Sequence, residues 1–369
     1  MTIEEVGLHT ERRISWIGGR MKTLAIKKAM KSFERVSRTL MAGAILVAGC
    51  KDSGVAPEND SHSEWRGQVV SEFVYEVLKP DGTVWTWGVN YCGTLGNGTT
   101  KNRDAPGKVL HISNVISIDQ SWGAAVAVDK DGNVWFWGKN MLSSGGSPIV
   151  TAPINIAHLD GTKYITIDGV HIFLLRNDST VWYMRLDWCK PAIVDGPRKI
   201  EGISNVISVH KELALTIDGK IYDLFSKEIL QHTLRDAAAV SGSRNRHIIV
   251  LKKDGTVWGW GANDLGQLGN GTFIGTDVPT QVKNLTDVAA ISANYDYNLA
   301  LKKDGTLWFW GFAGRQGDTL IGLNTPVKVE GLKDIVLIYA AAECFVMRED
   351  QTYWTFSAHD RIPRQVQFN

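Results

Sequence analysis

The sequence is poor in most features that would point to an enzyme or a disulfide-built scaffold. Four Cys in 369 residues cannot staple a fold of this length. Nine His form no i, i+4 pair and no His-Glu-x-x-His, so a zinc hydrolase has no support. There is no Gly-x-x-x-x-Gly-Lys-Ser/Thr phosphate loop. Asp129-Lys-Asp-Gly-Asn133 has the look of a calcium loop but lacks its terminal Glu. No catalytic group, metal or cofactor is therefore expected. With 44% apolar residues, 21% charged and only 10 Pro, the composition excludes a largely disordered chain. The net charge is only +1, and it is unevenly spread. Residues 1–49 hold nine Lys/Arg against four acids, which leaves 31 basic against 35 acidic residues in the remainder. A mildly acidic body is a poor match to nucleic acid, whose binding rests on phosphate neutralisation.

The basic excess belongs to an amino-terminal address. From Met21, six Lys/Arg precede the uncharged run Leu40–Gly49, which ends at Cys50. A positive segment, a short apolar segment and small residues are the three parts of a secretory signal, and ten residues are too few to span a bilayer as a helix. Val47-Ala-Gly-Cys50 resembles the bacterial lipobox. That resemblance implies cleavage before Cys50 and lipidation of its thiol. It places the protein in a bacterial cell envelope facing periplasm or exterior, with Lys51 favouring the outer membrane where there are two. Residues 1–20 fit no targeting pattern and read as an over-long gene start, 21–49 as the lipoprotein signal, 50–63 as a flexible polar tether.

Residues 64–369 repeat one unit seven times. Asp81-Gly-Thr-Val-Trp-Thr-Trp-Gly88 recurs from Asp131, Asp254 and Asp304, and in worn form from Asp178, Asp218 and Asp350. The mean period is about 45 residues. Each unit reads as a Pro-x-x-apolar piece, two apolar strands, an Asp-Gly turn of the two-residue type I′ kind, and a Val-Trp-x-Trp strand. Four short strands per unit make a propeller blade. The first unit, opening at Gln68-Val-Val70, has no Pro-x-x-apolar piece before it, and Ile362–Val366 has no unit after it. The expected all-β fold is therefore a seven-bladed β-propeller closed by the two chain ends, which share one blade.

Asp254–Gly271, with its Trp-Gly-x-Asn-x-x-Gly-x-Leu-Gly core, resembles the repeat of the regulator-of-chromosome-condensation family. The resemblance covers residues 68–366 and implies seven blades. Its eukaryotic namesake acts on a nuclear GTPase and docks on chromatin, whereas a secreted bacterial relative inhibits β-lactamases with one propeller face.

The Trp residues of the repeated strand are packing residues. The loops between the first and second strands differ from blade to blade, and they supply the candidate partner-binding residues Trp122, His171, Lys211, Arg244, Arg246, Tyr295 and Tyr297. Aromatic and Arg side chains are enriched at interface hot spots. These loops are expected outside the repeated strand pattern, with the Gly-x-Leu-Gly-Asn-Gly loops on the opposite face. The resulting expectation is a non-catalytic, lipid-anchored propeller that binds a protein through one loop face. A nucleotide-exchange factor for a small GTPase and a surface glycan-binding propeller are the rival readings. Pairing among Cys92, Cys189 and Cys344 stays open.

Overall fold

The computed structural model describes residues 74–121, 123–139, 148–187, 193–231, 233–242, 246–316, 319–340 and 344–368. These form seven antiparallel sheets. Blade 1 is β1 (Val74–Leu78), β2 (Val84–Gly88) and β3 (Arg103–Lys108). Blade 2 is β4 (Val115–Ser121), β5 (Ala124–Asp129), β6 (Asn133–Gly138) and β7 (Val150–His158). Blade 3 is β8 (Thr162–Asp168), β9 (His171–Arg176), β10 (Val181–Leu186) and β11 (Ile193–Lys199). Blade 4 is β12 (Val206–His210), β13 (Leu213–Thr216), β14 (Ile221–Asp223) and β15 (Ile229–Leu230). Blade 5 is β16 (Ala237–Gly242), β17 (His247–Lys252), β18 (Val257–Gly261) and β19 (Thr276–Gln281). Blade 6 is β20 (Val288–Ala293), β21 (Tyr297–Lys302), β22 (Leu307–Gln316) and β23 (Thr319–Lys328). Blade 7 is β24 (Ile335–Ala340), β25 (Cys344–Arg348), β26 (Tyr353–Phe356) and β27 (Arg364–Val366).

The seven-bladed all-β propeller expected from the repeats is the fold observed, but the repeat is phased differently. Each Pro-x-x-apolar piece closes the blade before it instead of opening the next. Pro106, Pro153, Pro197, Pro279 and Pro326 all lie in outermost strands. A proline has no N–H for a further strand, so it blunts an open edge. The apolar residue three positions on then donates its backbone N–H to the Val (or Leu) that opens the Trp strand, at 2.9 Å for Val109 to Val84, Val282 to Val257 and Val329 to Leu307.

Chain closure follows from this phase. The last strand, β27, pairs with β26 of its own blade, so the C-terminal piece does not complete the first blade. The expected inner strand at Gln68–Val70 lies outside the described residues. The ring is closed by packing: Val77 and Trp87 of blade 1 form one core cluster with Leu337, Phe345 and Tyr353 of blade 7. Among the described residues seven such clusters occur, one per seam between neighbouring blades.

The Asp-Gly turn is also a correction. Gly82, Gly255 and Gly305 have positive φ, but the preceding Asp residues do not. Gly255 N donates to Lys252 O and Lys252 N to Thr256 O, both at 2.9 Å. This is a three-residue loop, a turn followed by one left-handed residue, rather than type I′. The Asp works through its side chain. Asp254 Oδ1 accepts from Thr256 N (2.9 Å) and Thr256 Oγ1 (2.6 Å), and that hydroxyl accepts from Trp258 Nε1 (3.1 Å). The same relay occurs at Asp81, Asp178, Asp304 and Asp350, and it holds each carboxyl below its usual pKa range. In blade 2, Asn133 replaces the Thr. Asp129 then accepts from the Asp131 and Asn133 amides, from Asn133 Nδ2 and from Trp135 Nε1, so the calcium-like segment is a hairpin turn.

A second set of bonds ties the innermost strands together. At one shared position, a side chain accepts the backbone N–H of the next blade. Asp119 Oδ2 accepts from Ile167 N (2.9 Å), Thr166 Oγ1 from Lys211 N (3.1 Å), Ser241 Oγ from Ala293 N (2.9 Å) and Ser292 Oγ from Ala340 N (2.9 Å). His210 occupies this position in blade 4.

Candidate functional site

Because each blade is an antiparallel run of consecutive strands, the loop after its first strand and the loop after its third emerge from the same end. The Gly-x-Leu-Gly-Asn-Gly loops therefore share the candidate face, contrary to expectation. Thr94 Oγ1, in such a loop of blade 1, donates to Gly123 O in the first loop of blade 2 at 2.9 Å.

These repeated loops are framework. Asn90 Nδ2 donates to Asn97 Oδ1, Thr99 O and Lys101 O, and Asn90 Oδ1 accepts from Leu95 N. Asn263 makes the matching bonds to Asn270, Thr272, Ile274 and Leu268. Trp137 and Trp310 then donate their indole N–H to the neighbouring loop at Thr94 O and Gln267 O, each at 2.8 Å. A Cβ on Gly96 or Gly269 would lie 3.0 Å from that indole nitrogen, and both glycines have φ near +60° (58° and 59°).

Against this framework the differing residues form an arc over blades 3 to 6. In blade 3, His171 Nδ1 lies 3.0 Å from Tyr183 Oη, and its ring meets Phe225 of blade 4 edge-on at 4.9 Å. Burial lowers the His171 pKa, which favours the neutral ring at pH 7. Phe225 is 48% exposed and also packs on Phe173. Lys211 occupies the left-handed region (φ 50°) in the tight β12–β13 loop, a costly conformation for a side-chain-bearing residue. Its ammonium lies over the Tyr295 ring at 4.5 Å, linking blade 4 to blade 6.

Tyr295 sits on a preorganised loop. Asn294 Oδ1 accepts from the amides of Asp296 (2.8 Å) and Tyr297 (2.9 Å), and Phe312 N donates to Asp296 O (2.8 Å). Arg246 of blade 5 approaches Asp296 at 4.0 Å, a pair worth little by itself because the guanidinium is exposed. His171, Lys211, Arg246 and Tyr295 are thus brought onto one arc. Tyr297 is not on it. It opens β21, is 3% exposed and packs tilted against Phe309 at 5.1 Å, so it is a core residue and lies within the strand pattern. Trp122, Arg244 and Cys50 lie outside the described residues.

Phe225 and Asp296 were not anticipated. Phe225 sits in the loop after the third strand of blade 4, where Asp223-Leu-Phe-Ser226 replaces the Trp-Gly-x-Asn core. That loss of the repeat was a readable signal, hidden by assigning these loops to the other face.

Inner strands of blades 1, 2, 4 and 5 carry buried titratable groups. Burial raises the Asp119 carboxyl to about 6 although Thr166, Ile167 and Gln120 hydrogen-bond to it. Burial also pushes the Glu76 carboxyl upward, helped by Asp119. His210 is pushed down to about 3 and His247 to about 4, in both cases mainly by burial. His247 Nε2 meets Asn298 Oδ1 at 2.7 Å, and Asn298 Nδ2 donates to Gln267 O at 2.8 Å. Asp119 and His247 join blades, and among the described residues no three His, Cys, Asp or Glu converge as metal ligands.

Known proteins share this repeat and fold. Residues 81–128 and 254–301 match the regulator of chromosome condensation (RCC1) repeat, and 239–267 match a second profile of that repeat. The chain is thus a propeller carrying RCC1 repeats. The human and mouse E3 ubiquitin-protein ligases HERC2 are each 24% identical over 251 residues, 57% of this chain. The chain spans about 5% of the length of these relatives. The structure of Prp20p from Saccharomyces cerevisiae, described with its binding properties to Gsp1p and histones, superposes with a TM-score of 0.64 at 16% identity, covering 79% of this chain and 87% of that one. Yeast RCC1 (Prp20) bound by Kap60 gives 0.65 at 16% identity, with 79% and 85% covered. These likenesses establish the fold.

Proposed function

We propose that this protein is a non-catalytic, lipid-anchored propeller of the bacterial cell envelope that binds a protein partner through the loop face of blades 3 to 6. The observation that carries the reading is the Tyr295 loop. It is held by its own Asn294 turn and by the backbone of blade 6, and it presents an aromatic ring against a lysine from blade 4. Rigid aromatic anchors surrounded by adaptable polar groups are what tight protein interfaces use. Lipidation of Cys50 supplies the anchor, and residues 51–63 supply the reach. A single acyl chain gives only marginal anchoring, so two or more are expected on Cys50.

The test is affinity capture from the native envelope with the wild-type protein and with a Lys211→Ala/Tyr295→Ala variant of equal thermal stability. The reading requires that the recovered partner bind the variant at least about tenfold more weakly, roughly 1.4 kcal/mol. Equal affinity would remove the arc as the site. The likeness of fold to Prp20p favours a second reading, nucleotide exchange on a small GTPase. Accelerated nucleotide release from such a GTPase by the purified chain would replace the first reading with this one.

A further inference from the structure

The chain contains two Asn-Gly pairs, Asn97-Gly98 and Asn270-Gly271, one in each well-formed repeat loop. Asn-Gly is the dipeptide most prone to spontaneous deamidation, because glycine leaves the following amide nitrogen unhindered. That nitrogen loses its proton to solvent and attacks the Asn side-chain carbonyl carbon. The new C–N bond closes a five-membered succinimide as the bond to Nδ2 breaks and ammonia leaves. Water then opens either carbonyl, giving aspartate or isoaspartate.

In both loops the attacking nitrogen is already committed across a seam. Gly98 N donates to Thr151 O of blade 2 at 2.8 Å, and Gly271 N donates to Asn324 O of blade 6 at 2.8 Å. Each Asn carbonyl is also held in place. Asn97 Oδ1 accepts from Thr99 N (3.1 Å) and Thr99 Oγ1 (2.9 Å), and Asn270 Oδ1 from Thr272 N (3.0 Å) and Thr272 Oγ1 (2.8 Å). Both side chains are half-buried, so water can reach the loop once it opens.

We infer that Asn97 and Asn270 are deamidation sites gated by the seams between blades 1 and 2 and between blades 5 and 6, each reacting only when its own seam opens. The two products differ in effect. Aspartate keeps the oxygen that Thr99 or Thr272 needs. Isoaspartate inserts a methylene into the backbone and carries the glycine N–H away from its acceptor, so the damage keeps the seam from reclosing. Both Asn-Gly loops lie on the loop face, and the second is tied to blade 6 by the side chain of Asn298, three residues beyond Tyr295.

The test is a time course of the full chain at pH 8 and 37 °C. Peptide mass mapping follows the one-dalton gain at each Asn, and synthetic peptides spanning residues 92–101 and 265–274 give the ungated rate. Both sites should react at least about tenfold more slowly in the folded chain than in the peptides. Trp137→Phe removes the indole bond that clamps the first loop and should speed Asn97 relative to Asn270. Trp310→Phe should do the reverse. Hydrogen exchange of the wild-type Gly98 and Gly271 amides supplies a readout independent of any variant, and both should be protected. Peptide-like rates in the folded chain, unprotected glycine amides, or an unchanged site ratio in two folded variants would each overturn the inference.

Discussion

The two tryptophans of each Trp strand do different work, and the difference sets what substitution costs. Trp310 is fully buried in the seam between blades 5 and 6 and gives its N–H to Gln267 O. Trp308, two residues earlier on the same face of the strand, sits at the margin of that cluster, half-buried, with its N–H on Thr306 and the Lys302 ammonium 5.9 Å from its ring. Trp310→Ala should cost about 3–5 kcal/mol in urea unfolding, and Trp308→Ala about 1 kcal/mol. Equal losses would contradict the placing of Trp310 at the buried centre of the seam and Trp308 at its margin. The buried histidines make a pH prediction at the same scale. His247 has a folded pKa near 4 against 6.5 when unfolded, so the unfolded chain takes up the proton first as pH falls. Its contribution is complete above pH 6.5 and is lost on acidification toward pH 4, by about 3 kcal/mol at full extent. Asp119, raised to about 6, acts oppositely, losing stability as pH rises from 3.8 to 6. The His247→Gln variant should therefore show a shallower acid loss of unfolding free energy than the wild type, with Asp296, Arg246 and Lys211 still surrounding the site.

At the scale of elements, the informative strand is the last one. Phe368, just beyond β27, packs against Trp85 and Trp87 of blade 1 at 5.7 and 5.9 Å and lies under the Lys79 ammonium at 4.0 Å. Deleting Ile362–Asn369 should unfold or aggregate the protein far more readily than removing Lys51–Ser63, because it strips blade 7 of its outer strand and uncovers the closing seam. Matching melting temperatures for the two truncations would show that this seam contributes little. The outer strands also show what could be read from composition and what could not. Six Pro-x-x-apolar pieces were visible at a regular period. Which neighbour each one joined was not, because in the chain each piece lies between two Trp strands and its pattern fits an edge on either; the hydrogen bond from Val109 N to Val84 O joins it to the one before.

For the whole molecule, closure by packing makes each seam a nearest-neighbour contact, as in other repeat proteins. The ring is held by seven clusters and by the side-chain-to-backbone bonds between inner strands, so loop residues can vary at little cost to it. On this basis the Lys211→Ala/Tyr295→Ala variant should melt within a few degrees of the wild type, roughly the effect of 1 kcal/mol. A large drop would mean that these residues support the ring instead of serving a partner. Cys50→Ala should move the mature protein from the membrane fraction to the soluble fraction of the native cell. An unmodified Cys50 in the membrane-bound native protein, seen by mass spectrometry, would exclude the lipid anchor.

The sequence by itself determined the number of blades, the strands and the packing role of the paired tryptophans. Each of these follows from local periodicity and from residues recurring at fixed spacing, such as Asp254, Thr256 and Trp258. It also located the differing loops, and with them His171, Lys211, Arg246 and Tyr295. Only the tertiary structure decided the blade phase, the common face of the two loop sets, the burial of Tyr297 and the entry of Phe225 into the arc. Those outcomes depend on which strand edge meets which across some 45–50 residues, as when Ser292 Oγ accepts from Ala340 N, 48 positions away. Contacts of that range are set by how neighbouring sheets stack around a closed ring, and no local pattern encodes them.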